Sequence, residues 1–256
     1  MEINNLALYL SGQPVPVPSC NIIVSQPTIK EIVVMGEEPF LNVAQLLGRS
    51  ASHLKSIKEG NPELQKLSDF QIVMILSAED SSIKESIVQF FELIFPIYDV
   101  TFDTEGMNLS FSIKDSPGQV VGMINNFNYQ DFFKVIEELF LFFFSFDEIE
   151  YDPANDRANA IAEKLKKGRE KVSSIKRKES GQSDVFSLFA TYTSVLSIGM
   201  NLDINVLFSY TPFQLYDAFL RYWKKVAYDI YQKVSTTPLM DVSKMDKPDD
   251  WSLNLY

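Results

Sequence analysis

The stretch Thr211–Val234, TPFQLYDAFLRYWKKVAYDIYQKV, constrains the fold more than any other part of the chain. Thr211 is placed to cap a helix. Pro212 falls in its first turn, where a missing N–H costs no hydrogen bond. Phe213, Tyr216, Phe219, Leu220, Trp223, Ala227, Ile230 and Val234 recur at steps of three and four and make a wide apolar face. Asp217 with Arg221, and Asp229 with Lys233, stand one turn apart on the other side. A helix of about 22 residues is about 33 Å long, the width of a small domain. Such a face needs a cover. Asp184 is placed to cap a helix over Val185–Ile198 that turns Val185, Leu188, Phe189, Tyr192 and Leu196 inward. Phe219 and Trp223 are therefore expected to be buried against Val185–Leu196.

The first half reads as a mixture of short elements. Leu6–Leu10 and Val15–Val17 flank Ser11–Gly12–Gln13–Pro14 and suggest a small hairpin, with Ile22–Val24 as a further strand. Thr28 and Gly36 bracket a helix that carries Ile29, Ile32 and Val33, and a second short helix is expected over Phe40–Leu47. Gly48–Gly60 is polar. Asp69 is placed to cap Phe70–Leu76, and Ser81 or Ser82 to cap Ile83–Phe95, which Pro96 ends. Val100 and Phe102, then Leu109, Phe111 and Ile113, alternate about a turn and predict a β-hairpin. Gln119–Ile124 is a third strand candidate, and Tyr129–Phe144 returns to helix. The predicted class is α+β: a mixed domain over residues 1–146 with a small antiparallel sheet, and an all-helical domain over residues 151–256.

Charge narrows the partners. The chain of 256 residues carries a formal net charge of −11, so general attraction to a phosphate backbone is not expected. One segment runs the other way. Ala154–Glu179 holds nine Lys or Arg against four acids, +5, so the remainder carries −16. The segment reads either as a contact for an acidic partner, another copy or the acidic part of this chain, or as a solvated helix docked by a thin stripe at Ile161, Leu165, Val172 and Ile175. Lys164, Lys167, Lys171 and Lys178 are the candidate partner-binding residues. No aromatic residue interrupts the segment, so base stacking has no platform there. The Phe-rich run Phe132–Phe146 contains Lys134, Glu137 and Glu138, and its uncharged part is far short of the ~20 residues that cross a membrane. Met1–Leu10 lacks the positive start and apolar length of a secretory signal.

Candidate chemistry is sparse. His53 is the single histidine, and no nucleophile elbow stands beside it. Cys20 is the single cysteine, so neither an intrachain disulfide nor a cysteine metal cluster is expected, and a reducing compartment fits. The neighbouring acids Glu37–Glu38, Glu137–Glu138 and Asp249–Asp250 point in different directions on a helix and are read as solvated charge. Gly118–Gly122 lacks the Lys-Ser/Thr that completes a phosphate loop. No enzyme activity, metal or cofactor is expected.

Three blocks, in order, carry a resemblance: LALYLSGQPVPV leading into NIIVSQPTIKEIVVMGEEPFL (Asn21–Leu41), YDPANDRANAIAEKLKKGREKV (Tyr151–Val172) ahead of YTPFQLYDAFLRYW (Tyr210–Trp223), and the close KPDDWSLNLY (Lys247–Tyr256). Together they resemble tail assembly chaperone-type proteins from the tail-morphogenesis clusters of bacteriophages and prophages. The resemblance implies a non-enzymatic protein of the bacterial host cytoplasm, absent from the mature virion. It would bind the tape-measure protein and help recruit tail-tube subunits, with self-association possible and neither nucleic acid nor membrane as partner. The alternative is a minor virion component of the tail, baseplate or neck.

Overall fold

The computed structural model describes residues 5–48, 64–103, 109–141, 187–237 and 248. Contacts divide the chain into Met1–Phe143 with Phe189–Tyr256, and Phe144–Leu188. The first unit is α+β: helices enclose a two-stranded and a three-stranded antiparallel sheet.

The chain enters through α1, Leu6–Ser11, rather than a strand. LALYL has no β-branched residue to favour an extended backbone. Gly12, at φ 68°, takes the left-handed conformation that closes the helix, its N–H reaching the Leu8 and Tyr9 carbonyls. The first hairpin is therefore made one segment later, by β1 (Val15–Val17) and β2 (Ile22–Val24), with Val15 opposite Val24 and Val17 opposite Ile22. Those four valine and isoleucine side chains are buried, while Pro16 and Ile23 face out. Proline is tolerated there because β1 is an edge strand.

α2 (Ile29–Met35) starts with a reciprocal cap: the Glu31 N–H donates to the Thr28 hydroxyl, and the Thr28 N–H donates to the Glu31 carboxylate. α3 (Glu37–Gly48) buries Phe40, Val43, Ala44 and Leu47 on one stripe. Its last residue, Gly48, lies so near the backbone of Glu137 that a Cβ there would stand 3.0 Å from the Glu137 nitrogen. The next two helices are each capped one residue or more earlier than expected. Ser68, not Asp69, caps α4 (Asp69–Glu79) in a box with Gln71. Asp80, not Ser81 or Ser82, caps α5 (Ser81–Ile94) by accepting the Ser82 and Ile83 N–H groups.

β3 (Asp99–Asp103), β4 (Ser110–Lys114) and β5 (Val120–Asn125) form the expected meander, with Phe102 opposite Phe111 and Phe111 opposite Ile124. Gly122 lets the first hairpin lie directly on β5. A Cβ on Gly122 would sit 2.7 Å from the Asn21 carbonyl oxygen and 2.9 Å from that of Cys20. α6 (Tyr129–Ile136) then runs into a π-helical turn, Glu137–Leu141.

These elements share a core of phenylalanine rings. Phe91 touches Phe90, Phe95, Phe102, Phe111 and Phe132, with the Phe111 centroid at 5.1 Å. Phe40 joins Phe90 and Phe140 at 5.1 and 5.2 Å. Most of these pairs are tilted or edge-on, the arrangement that the ring quadrupole favours.

The C-terminal helices are α7 (Leu188–Met200), α8 (Ile204–Phe208) and α9 (Pro212–Ser235). Thr211 caps α9 as the sequence predicts, in a box with Gln214. The division at residues 146–151 is drawn differently by the contacts. The first turn of α9 is built into the N-terminal elements: Phe213 packs edge-on against Tyr9 at 5.3 Å, Gln214 Nε2 donates to the Leu10 carbonyl at 2.8 Å, and the Ile29 N–H donates to the Tyr210 carbonyl at 2.8 Å. α7 joins the same body through the Phe189 N–H, which donates to Glu37 Oε1.

Neither Phe219 nor Trp223 is buried as expected: Phe219 reaches α7 but stays half exposed, and Trp223 does not reach it. Phe219 stacks on Tyr192 of α7 at 4.1 Å and 21°. Trp223 is 61 % exposed. The slot beside α7 is taken by Tyr222, whose ring lies over Gly199 so closely that a Cβ there would meet the ring carbon Cε2 at 2.8 Å. The next residue points about 100° further round the helix. Trp223 is left outside.

Candidate functional site

Several buried polar groups of the described residues hold the fold together, while Gln26 Oε1 and Thr101 Oγ1 are buried without a hydrogen-bond partner. Tyr9, in α1, donates its hydroxyl to Glu138 Oε2 at 2.6 Å, across a sequence separation of 129 residues. Glu138 is 3 % exposed, and Lys134 Nζ stands 3.9 Å from its other oxygen. Burial, then the bond to Glu138 and the charge of that carboxylate, hold the Tyr9 hydroxyl well above its ordinary pKa. The pair ties the start of the chain to the π-helical turn. Of the neighbouring acids Glu137 and Glu138, only Glu138 is buried.

Cys20 is 2 % exposed, and its thiol lies 3.5 Å from the Asn128 carbonyl. Burial pushes its pKa up to about 11; the Asp131 charge adds to the rise and a bond with Ser19 opposes it. A thiol so placed stays protonated and is a poor nucleophile. On the sheet, Asp103 accepts the hydroxyls of Ser110 and Ser112. No group of three or more His, Cys, Asp or Glu among the described residues is arranged to hold a metal ion. His53, Asp249 and Asp250 lie outside the described residues, as do Lys164, Lys167, Lys171 and Lys178.

What the described surface does offer is apolar. α2 buries Ile29 and Ile32 but leaves Val33 half exposed and Val34 85 % exposed. α8 buries Leu207 and turns Ile204 and Val206 outward. α7 buries Phe189, Thr193 and Leu196, while Ile198, 83 % exposed, lies on its outer side near Val195. These three helices are linked. α2 packs on α8, and the turn from α7 to α8 is closed by Ser197, whose hydroxyl donates to the Leu202 carbonyl. Each of the three helices thus exposes aliphatic side chains. A second apolar feature is a cleft of about 320 Å³ between the two sheets, lined by Pro16, Pro18, Ile22, Phe95, Tyr98 and Ile113 among others. Ile23, Val121 and the polar Asn21 complete its wall.

Val34, Ile198, Ile204 and Val206 had no place in the sequence reading, so their exposure was not anticipated. A signal was present. Ile32–Val33–Val34–Met35 is apolar at four successive positions, which sweep about 300° around a helix, so they cannot all face one way. Ile204–Phe208 repeats the pattern with one asparagine.

No protein-family model, curated protein or solved structure matches this chain. No helix among the described residues is long and apolar enough to cross a membrane.

Proposed function

We propose that this chain is a non-enzymatic assembly protein of the phage tail assembly chaperone type, which binds an apolar segment of the tape-measure protein in the host cytoplasm and is absent from the finished virion. The observation that carries the reading is the exposure of aliphatic side chains on α2, α7 and α8, above all Val34 and Ile198. A protein that gains nothing from exposing such side chains pays in solubility, so exposed aliphatic patches mark binding surfaces. The overall charge of −11 suits a holder of aggregation-prone chains, because like charge keeps loaded complexes apart. The sequence blocks that resemble tail assembly chaperones supply the identity of the partner.

The test is co-expression with the tape-measure protein. The wild-type chain should keep that protein soluble and co-purify with it. The double variant Val34→Asp with Ile198→Asp, shown by circular dichroism to be folded, should lose both effects. Co-purification unchanged by the double variant would overturn the assignment to these side chains. Mass spectrometry of purified particles separates the alternative role, because a minor tail, baseplate or neck component would be present in fixed copy number.

A further inference from the structure

A different surface, the outer two thirds of α9, carries an inference that does not depend on the tape-measure reading. After Asp217 no residue of this helix is buried, although its apolar stripe continues for four more turns. Phe219 is half covered by Tyr192, and beyond it Trp223 and Ile230 are 61 % and 54 % exposed, with Val226, Ala227 and Val234 half exposed between and after them. The charged residues stand off this stripe: Lys225 is paired with Asp229 at 2.7 Å, one turn apart.

The stripe has a symmetry of its own. About the midpoint between Val226 and Ala227, Trp223 mirrors Ile230 and Phe219 mirrors Val234. Lys224 mirrors Asp229. A helix face whose main apolar positions mirror one another across its centre can meet a second copy about a two-fold axis there, which is what an isologous contact requires. In an antiparallel pair each Trp223 covers Ile230 of the second copy, and the cations at Lys224 and Lys225 lie level with Asp229 of that copy. A parallel pair would instead set Lys224 and Lys225 level with themselves, and Asp229 with itself. Charge therefore favours the antiparallel sense.

We propose that α9 is a homodimerisation helix, which pairs antiparallel with α9 of a second copy about a two-fold axis between Val226 and Ala227. Each copy contributes one exposed tryptophan, which can bury about 150–250 Å², and a few smaller side chains. The contact is thus near or below the lower end of stable interfaces, about 1,200–2,000 Å² in total. A reversible, concentration-dependent dimer follows rather than an obligate one.

The experiment uses the full chain. Analytical ultracentrifugation over a dilution series should show a monomer–dimer equilibrium, and Trp223→Asp should raise its dissociation constant at least about tenfold with an unchanged circular dichroism spectrum. Orientation is read by two single-cysteine additions under mild oxidation, with the wild-type chain and its buried Cys20 as control. Ala227→Cys sits at the axis and should form a disulfide-linked dimer. Val234→Cys should not, because antiparallel pairing places its counterpart about 22 Å away at 1.5 Å rise per residue. A chain that stays monomeric throughout the series, with no disulfide in Ala227→Cys, overturns the proposal and leaves the stripe to a different occupant. Efficient linkage of Val234→Cys overturns the antiparallel arrangement.

Discussion

The phenylalanine core and the α7–α9 pair are both rich in aromatic rings, yet they use them oppositely. Around Phe91 five other phenylalanines close the shell, and Phe91 is 1 % exposed. Between α7 and α9 the rings of Tyr192, Phe219 and Tyr222 are half exposed and Trp223 stands in water. The difference lies in neighbours rather than composition. The core rings come from helices and strands arriving from several directions, whereas a helix pair covers one stripe and leaves the flanks open. Aromatic content says how much surface is worth covering, and topology decides whether it is covered.

The contrast can be broken most directly by paired substitutions. Phe91→Ala should cost about 3–5 kcal/mol in a chemical denaturation curve, because a rigid shell of rings cannot collapse into the space. Gly122→Ala should cost about 1–3 kcal/mol, since the new methyl meets two backbone carbonyl oxygens that belong to the facing hairpin and cannot turn away. Tyr9→Phe removes the donor from a buried carboxylate and should cost about 1–3 kcal/mol; a Tyr9→Phe chain as stable as wild type would mean that Glu138 finds another partner. Cys20 supplies a pH signature. Its thiol pKa is about 11 in the fold against an ordinary 9, so above pH 9 the native state binds more protons than the unfolded one. Stability should therefore be complete below pH 9 and fall as pH rises toward 11, and Cys20→Ala should flatten that part of the curve. At the other extreme, Trp223→Ala in dilute protein should change stability by no more than about 0.5 kcal/mol. A larger loss there would erase the distinction between the two regions.

The meander β3–β5, the helices α2, α3 and α5 and the start of α9 were legible in the sequence, because each rests on local signals: alternation, periodicity, or a cap within four residues. Cap identities slipped at Ser68 and Asp80, where two or three adjacent residues can each accept the same N–H groups. α1 was misread because six residues carry too little periodicity to distinguish helix from strand. The attachment of α9 to α1 was invisible, since Phe213 and Tyr9 are 204 positions apart and nothing in either segment names the other. The exposure of aliphatic side chains was hidden for a related reason. Val34 and Ile198 have the same chemistry as Ile32 and Leu196, and only the three-dimensional neighbours separate the wet from the dry.

The π-helical turn at Glu137–Leu141 has a consequence for how this chain tolerates length change. A π turn holds one residue more than the α-helical turn it replaces, and one residue is worth about 100° of rotation. The turn therefore sets the angular phase between Phe132 and Phe133 on its near side and Leu139, Phe140 and Leu141 within it, all of them buried. Deleting one residue ahead of Phe140 can be absorbed here, because a regular α-helix with one residue fewer keeps Phe140 beside Phe40 and Phe90. The turn is thus a place where the helix can lose a residue without misaligning the rings around Phe140.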